Sequence, residues 1–125
     1  MALHEDLESL LPLPPATFHI LVALSDADRH GYGIMQEVAQ RTAGRTKLNP
    51  GTLYTTIQRL LERGLIVELS AIREGRERRD PDDDDERRRY YRLTPSGRRV
   101  AQLELARLTE LVALGRRAGL APEKG

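Results

Sequence analysis

Cysteine and tryptophan are absent from this sequence of 125 residues, and aromatic residues of any kind are scarce. A chain without cysteine forms no disulfides and has no thiolate metal ligands, which is typical of a protein in a reducing compartment. Aromatic residues amount to 4% of the chain, one Phe and four Tyr, and so few argue against a large aromatic ligand pocket. Disulfide scaffolds and zinc–thiolate proteins are therefore excluded.

Long hydrophobic runs are also missing. The longest strongly apolar block extends from Ile20 to Leu24, which is far too short to span a bilayer. The first residues, MALHEDLESL, lack the basic start and the apolar core of a signal peptide. The length is that of one compact domain. We therefore expect a soluble cytoplasmic protein with no membrane partner.

The sequence contains no recognisable catalytic or metal-binding constellation either. The acidic run DPDDDDE at 80–86 invites comparison with a calcium loop, which needs glycine at its sixth position and glutamate at its twelfth. Counted from Asp80, those positions hold Asp85 and Tyr91, so the comparison fails. We interpret the run as a solvated loop, and we predict no enzyme, no metal and no cofactor.

Charge is distributed unevenly, although the formal net charge is only +1. Residues 1–28 carry five acidic residues and no Lys or Arg, whereas residues 29–63 carry six basic residues and two acidic ones. A local excess of basic side chains favours a polyanionic partner such as nucleic acid.

Helix signals dominate the first half of the chain. Leucines at helical spacing predict a helical extension over residues 1–14, and Pro15 is well placed to begin the next helix. A third helix is predicted from about residue 31 to Gly44. Asn49 and Pro50 then combine a capping residue with a favoured first helical residue, and Gly64 ends that helix.

Strand signals and one more helix follow. The stretch LIVELSAI alternates and is rich in β-forming residues, which predicts a strand with one face formed by Leu65, Val67, Leu69 and Ala71. RRYYRLT predicts a second strand, joined to the first by a long polar loop. Thr94 and Pro95 repeat the capping signal and begin a last helix that extends to about Arg117.

The helix that begins at Asn49 has two different faces. Its apolar stripe contains Leu53, Ile57, Leu60 and Leu61, and its opposite face contains Gly51, Thr52, Thr55, Gln58, Arg59 and Glu62, with Tyr54 on the boundary. Thr, Gln and Arg are side chains that read base edges in the major groove, and the N–H groups near Gly51 and Thr52 suit a phosphate. An ordinary solvated face fits the composition equally well, and the strands that follow favour DNA.

This element order predicts an α+β, mainly α fold, a winged helix-turn-helix of three helices and a β-hairpin wing with a C-terminal dimerisation helix. The expected organisation is an N-terminal helical extension at 1–14, a DNA-binding domain at 15–94, a dimerisation helix at 95–118 and a flexible tail at 119–125.

Three blocks of the sequence resemble the PadR-like transcriptional regulators: HGYGIMQEV at 30–38, GTLYTTIQRLLERGLI at 51–66 and RRYYRLTPSGRR at 88–99. The resemblance implies a winged-helix homodimer on pseudo-palindromic operator DNA, usually a repressor that a small-molecule effector releases. The expected DNA-binding residues are Lys47, Gly51, Thr52, Tyr54, Thr55, Gln58 and Arg59. Tyr54 matches a family tyrosine that commonly lies at the DNA interface, and a packed, half-buried Tyr54 is the alternative.

The predicted wing departs from the short basic wing that is usual in the family. Residues 73–92 contain eight Arg and eight Asp or Glu, so this segment is locally neutral. We expect its arginines to contact the DNA backbone while the acidic tip, Asp80 to Glu86, stays in solvent. The arginines concerned are Arg78, Arg79, Arg87, Arg88 and Arg89.

The last helix carries more leucine than one small domain needs. Val100, Leu103, Leu111 and Leu114 form one stripe, and Ala101, Leu105, Leu108 and Val112 form another roughly 140° away, at 100° per residue. We expect one stripe to pack on the chain's own domain and the other to pack on a second copy, with Leu3, Leu7 and Leu10 as further candidates. The alternative is one broad buried face in a monomer, although a chain this small has little left to cover both stripes. The predicted dimer interface contains Leu103, Leu105, Leu108, Leu111, Val112 and Leu114.

Two other functions fit parts of the sequence. A winged-helix protein–protein interaction module would use the acidic loop and the leucine stripes for binding. A metal sensor on the same fold is disfavoured because cysteine is absent and histidine is sparse. DNA binding weakens steeply with salt whereas an apolar protein contact does not, so salt dependence separates the first two functions.

Overall fold

The computed structural model describes residues 7–69 and 89–121. Within these ranges a helical turn at residues 7–9 precedes four helices and a three-stranded antiparallel sheet. The order is α1 (Pro15–Ala23), β1 (Arg29–His30), α2 (Gly31–Arg41), α3 (Pro50–Glu62), β2 (Ile66–Glu68), β3 (Tyr90–Leu93) and α4 (Pro95–Arg117). The predicted winged helix-turn-helix is confirmed. Leu3, Ala71, the acidic run at 80–86 and Arg78, Arg79, Arg87 and Arg88 lie outside the described residues.

The helices begin at the side chains that the sequence indicated. The Asn49 side chain accepts a hydrogen bond from the Thr52 N–H at 2.8 Å, and the Thr94 hydroxyl accepts one from the Gly97 N–H at 3.0 Å. His30 caps α2 in the same way, through Nδ1 and the Gly33 N–H at 3.0 Å. Each cap satisfies a backbone donor that has no partner inside its helix.

The sheet contains a strand that the sequence did not predict. Its strand order is β1-β3-β2, and β1 pairs Arg29 with Tyr91 and His30 with Tyr90. A strand of two residues is too short to show alternation, so no periodic signal marks it. β1 connects the N-terminus of α2 to the base of the predicted wing.

The predicted face of the first hairpin strand is buried at Leu65 and Leu69, which are 1% and 4% exposed, but the prediction was wrong at Val67, which is 41% exposed. Ile66 is 2% exposed, so Leu65 and Ile66 are buried in succession and the alternation is interrupted there. Gly64, with a φ of +73° after α3, reverses the chain just before this point.

One core joins all four helices and the sheet. Its fully buried side chains include Ile20 and Leu21 from α1, Ile34 from α2, Leu53 from α3 and Val100 from α4. The N-terminal segment also belongs to this core, because Leu7 and Leu13 are buried in it. Leu7 therefore has almost no surface left for a second copy, contrary to the expectation that it could join a dimer interface. Of the helices in the described ranges, none combines the length and apolar character that crossing a membrane requires.

A buried carboxylate ties α4 to the N-terminal segment. Glu104 is 2% exposed, and Arg107 donates to both of its carboxylate oxygens at 2.9 and 2.8 Å. Arg107 holds the pKa of the Glu104 carboxyl below its usual value against the opposing effect of burial, and a hydrogen bond from the Leu13 backbone acts in the same direction as Arg107. The carboxylate is thus fully paired in the core, as a buried charge must be.

Gly97 permits a close approach between α4 and the start of β2. A Cβ built on Gly97 would lie 2.8 Å from Leu93 Cδ1 and 3.0 Å from the Leu65 carbonyl carbon, and nearer still to the Leu65 oxygen. That oxygen accepts a hydrogen bond from the Thr94 N–H at 3.1 Å. A side chain at position 97 would therefore have to displace backbone.

We expect Gly97→Ala to lower the free energy of unfolding by about 1–3 kcal/mol, because the added methyl overpacks a backbone contact. Gly115→Ala is the matched control in the same helix, since a Cβ there meets nothing within 4 Å. Alanine inside a helix is favoured over glycine by about 0.5–1 kcal/mol. Urea unfolding of both variants at one protein concentration measures the difference, and equal effects would contradict the close approach.

Candidate nucleic-acid interface

The two faces of α3 are separated by burial as the sequence predicted. Leu53, Ile57 and Leu60 are buried in the core, which fixes the helix on the domain. The residues predicted to contact DNA are all exposed, and they are Lys47, Gly51, Thr52, Tyr54, Thr55, Gln58 and Arg59. Six of them belong to α3, and Lys47 lies in the loop before the helix.

The centre of this surface is a shallow open depression. It is lined by Tyr54, Thr55, Gln58, Arg59 and Glu62. Gln58 Nε2 donates to Glu62 Oε2 at 3.5 Å, a long hydrogen bond that leaves the amide able to turn toward another partner. The depression thus brings the hydroxyl groups of Tyr54 and Thr55, the Gln58 amide and the Arg59 guanidinium within two turns of one helix.

One predicted anion-binding group is already occupied. The Thr52 N–H donates to the Asn49 side chain, so the cap that begins α3 uses a donor expected to bind phosphate. The expectation for the Thr52 N–H was wrong, because an asparagine cap and a phosphate compete for the same donor. The exposed Thr52 side chain is unaffected by this competition.

The basic surface is smaller than the sequence suggested. Arg29 and Arg41 each pair with Asp26 and Glu37, and Arg29 Nε also donates to the Ala23 carbonyl at 2.7 Å. These two arginines stabilise the C-terminal end of α1, where the helix dipole favours cations. Within the described ranges the basic residues of 29–63 that have no ion-pair partner are Arg45, Lys47, Arg59 and Arg63.

Tyr54 is both packed and exposed. It is 46% exposed, yet the hydroxyl end of its side chain lies against Gly31 at the start of α2, where a Cβ would be 2.8 Å from Tyr54 Cζ and nearer still to the Tyr54 hydroxyl oxygen. The two alternatives considered for this residue therefore coexist. Gly31 is a site residue that the sequence did not reveal, since a glycine at a helix start gives no sign of the tyrosine seated on it.

The one wing arginine in the described part of the chain is Arg89. Its Nε lies 3.6 Å from Glu68 Oε2, and its side chain is 55% exposed. Because β2 pairs with β3, this contact lies at the base of the hairpin. A loose exposed ion pair of this kind contributes little to stability.

The buried and the exposed apolar residues of α4 lie in different turns of the helix and not on different faces. Val100 is buried, and Ala101 and Leu103 pack on the core, although they come from both predicted stripes. Beyond them Leu105, Leu111, Val112 and Leu114 are exposed and Leu108 is half-buried. The expectation of one inward and one outward stripe was wrong, because the domain ends under the first turns and leaves the later ones uncovered. Leu103 is partly buried on the core and so has less surface left for a second copy than the exposed residues beyond it.

Comparisons with known proteins agree with this geometry. The model of the transcriptional regulator PadR-like family matches residues 20–103, which confirms the resemblance carried by the three sequence blocks. Among curated proteins, transcriptional regulator Rv3488 of Mycobacterium tuberculosis (strain ATCC 25618 / H37Rv) is 34% identical over 93 residues, 74% of this chain and 75% of that protein.

Solved structures share the fold at lower identity. A transcriptional regulator from Clostridium thermocellum, Cth-833, has a TM-score of 0.64 and 21% identity, and covers 90% of this chain and 96% of its own. The protein smu.1704 from Streptococcus mutans UA159 has a TM-score of 0.54 and 20% identity, with 87% and 92% covered.

We expect Gly31→Ala to lower the free energy of unfolding by about 1–3 kcal/mol, because its methyl overlaps the Tyr54 ring. In a Tyr54→Ala background the same substitution should be close to neutral, since the overlapping atoms are gone. A double-mutant cycle from urea unfolding measures this coupling. If Gly31→Ala costs the same in both backgrounds, the tyrosine is not what requires glycine.

Proposed function

The chain belongs to the PadR-like family of transcriptional regulators, and on this premise we propose that it is a homodimeric repressor of pseudo-palindromic operator DNA. Regulators of this family bind DNA and are not enzymes. In our proposal α3 enters the major groove, α4 joins two copies, and a small-molecule effector releases the repressor. The division into a DNA-binding domain at 15–94 and a dimerisation helix at 95–118, and the cytoplasmic location, belong to the same proposal.

The main observation in support of this proposal is that α3 is packed on the core through Leu53, Ile57 and Leu60 while its opposite, polar face is exposed. A helix of 13 residues is marginal on its own in water, so its buried stripe gives it its stability. The opposite face is then presented in one orientation. Arg59 suits guanine, Gln58 suits adenine, and the threonine methyl groups suit thymine.

Lys47 and Tyr54 flank that face and suit the DNA backbone. Contacts to phosphate set the position of a protein on DNA, whereas contacts to base edges determine sequence preference. We therefore assign Lys47 to phosphate, Gln58 and Arg59 to bases, and the short side chains of Thr52 and Thr55 to the groove edge.

The uncovered end of α4 supports the homodimer. Leu105, Leu108, Leu111, Val112 and Leu114 lie on an arc of about 180° at 100° per residue, and all of them except the half-buried Leu108 are exposed in the described part of the chain. A second copy would place the same arc opposite this one, as two-fold symmetric dimers do. Helix-turn-helix dimers read half-sites about 34 Å apart, so dimerisation and operator binding are coupled.

Repression and release by an effector are proposed from the general behaviour of the family. A bound repressor acts by occupying its operator, and an effector acts by favouring a dimer whose α3 helices no longer match the half-sites. Selecting bound fragments from the source genome would give the operator used in the experiments below.

We expect Arg59→Ala and Gln58→Ala each to weaken operator binding by about 1–3 kcal/mol, because each removes a contact to a base. Arg63→Ala is the control, since it removes the same charge from the end of the same helix. Competition between operator and random duplex measures the effect. Equal losses on both DNAs would reassign these residues to phosphate, and no loss would remove them from the interface.

Salt dependence tests the alternative of a protein-interaction module. DNA binding through several basic side chains weakens steeply as salt rises, because releasing the counterions held by DNA is less favourable in concentrated salt. Binding to random duplex at low and moderate salt is therefore the first measurement. Affinity that does not change with salt would contradict a DNA-binding function.

We expect Leu111→Glu to convert the dimer to monomers and to reduce operator binding sharply, because it places a charge in an apolar contact. Ala106→Glu is the matched control, as Ala106 is exposed on the opposite side of α4. Sedimentation and operator titration of both variants give the two readouts. A folded Leu111→Glu variant that remains a dimer would show that the copies meet elsewhere.

A further inference from the structure

We propose that Tyr32 contacts a DNA phosphate through its hydroxyl, beside the groove that α3 enters. This inference rests on the proposed DNA-binding function. It adds a contact from α2 to an interface that the sequence had assigned to α3, its preceding loop and the wing.

Tyr32 has the surface properties of a contact residue. It is 60% exposed, more than any other aromatic residue in the described ranges. Within those ranges its hydroxyl has no hydrogen-bond partner. A tyrosine offers an apolar ring together with a polar tip, which is why tyrosines are frequent where a protein meets a partner.

The position of Tyr32 joins it to the surface of α3. Tyr54, from the second turn of α3, places the hydroxyl end of its side chain against Gly31, the residue immediately before Tyr32. Gly31 and Tyr32 are consecutive residues in the first turn of α2, so Tyr32 lies one residue from the place where α2 meets α3.

The Tyr32 ring lies parallel to the His30 ring, with an interplanar angle of 8° and a centroid separation of 6.5 Å. His30 is itself held by its hydrogen bond from the Gly33 N–H and by an edge contact with Tyr90 at 5.2 Å. Tyr32 therefore lies beside a fixed neighbour, while most of its own surface stays available to a partner.

Phosphate is the DNA group that fits this position. When the second helix of a helix-turn-helix lies in the major groove, the first helix crosses the backbone. Tyr32 lies on the first of the two, α2, and tyrosine hydroxyls are among the groups that donate to phosphate oxygens. Lys47 and Arg59 supply the positive charge that attracts the backbone to this side of the domain.

Tyr32→Phe isolates the hydroxyl, because the ring and its stacking on His30 are retained. A hydrogen bond to a charged acceptor is worth enough that its loss should weaken binding roughly ten- to a hundredfold. We expect this loss to be the same on operator and on random duplex. The salt dependence should not change, because a neutral hydroxyl displaces no counterion.

Two variants provide the comparison. Lys47→Ala should also weaken binding to both DNAs, but it should reduce the slope of log affinity against log salt by about 1. Gln40→Ala alters an exposed side chain near the far end of the same helix and should change neither affinity nor slope. Thermal unfolding of all three variants checks that they are folded.

The outcomes distinguish failure of the Tyr32 contact from failure of the proposed DNA-binding function. If Tyr32→Phe binds both DNAs like the wild type while Arg59→Ala loses operator binding, Tyr32 is not a contact and the proposed function stands. A loss confined to the operator would make Tyr32 a base contact and overturn the phosphate assignment. If the wild type shows no salt-dependent DNA binding, the proposed function fails and this inference fails with it.

Discussion

Leu53, Ile57 and Leu60 hold α3 on the core, and the orientation of the polar face depends on that attachment. These side chains do more than add buried apolar area, because a helix this short has little stability of its own. By being buried they also determine which residues remain in water. The side chains available to a partner are therefore determined by packing on the opposite side of the helix. Thr55, Gln58 and Arg59 take no part in that packing.

Two glycines set the distances within this arrangement. Gly31 lets the end of the Tyr54 side chain lie against the start of α2, and Gly97 lets α4 lie against the Leu65 carbonyl. The contact at Gly97 is with backbone, where little relaxation is available, whereas the contact at Gly31 is with the outer end of the Tyr54 side chain. The positions of α2, α3 and α4 are consequently linked through contacts that no larger residue would allow.

Local signals in the sequence were sufficient for the helix boundaries and for the faces of α3. Asn49, Thr94 and the periodic leucines act within one or two turns, so their consequences can be read without knowing the fold. β1, the outward Val67 and the pairing of Arg29 and Arg41 with Asp26 depend on segments distant in sequence, and no local pattern contains them. The same reason explains α4, whose leucines revealed an apolar surface but not where the domain beneath it ends.

The length of α4 determines how insertions and deletions would alter the proposed dimer. α4 contains 23 residues and so extends about 35 Å at a rise of 1.5 Å per residue. One residue inserted between Arg107 and Leu108 would preserve the pair between Glu104 and Arg107 and the core contacts before it, yet it would rotate the apolar arc by about 100° relative to the domain. An addition of about seven residues, or two turns, would restore the facing and would move the second copy by about 10 Å. In the proposed dimer, therefore, insertions and deletions in this segment would change the spacing of the DNA half-sites in discrete steps.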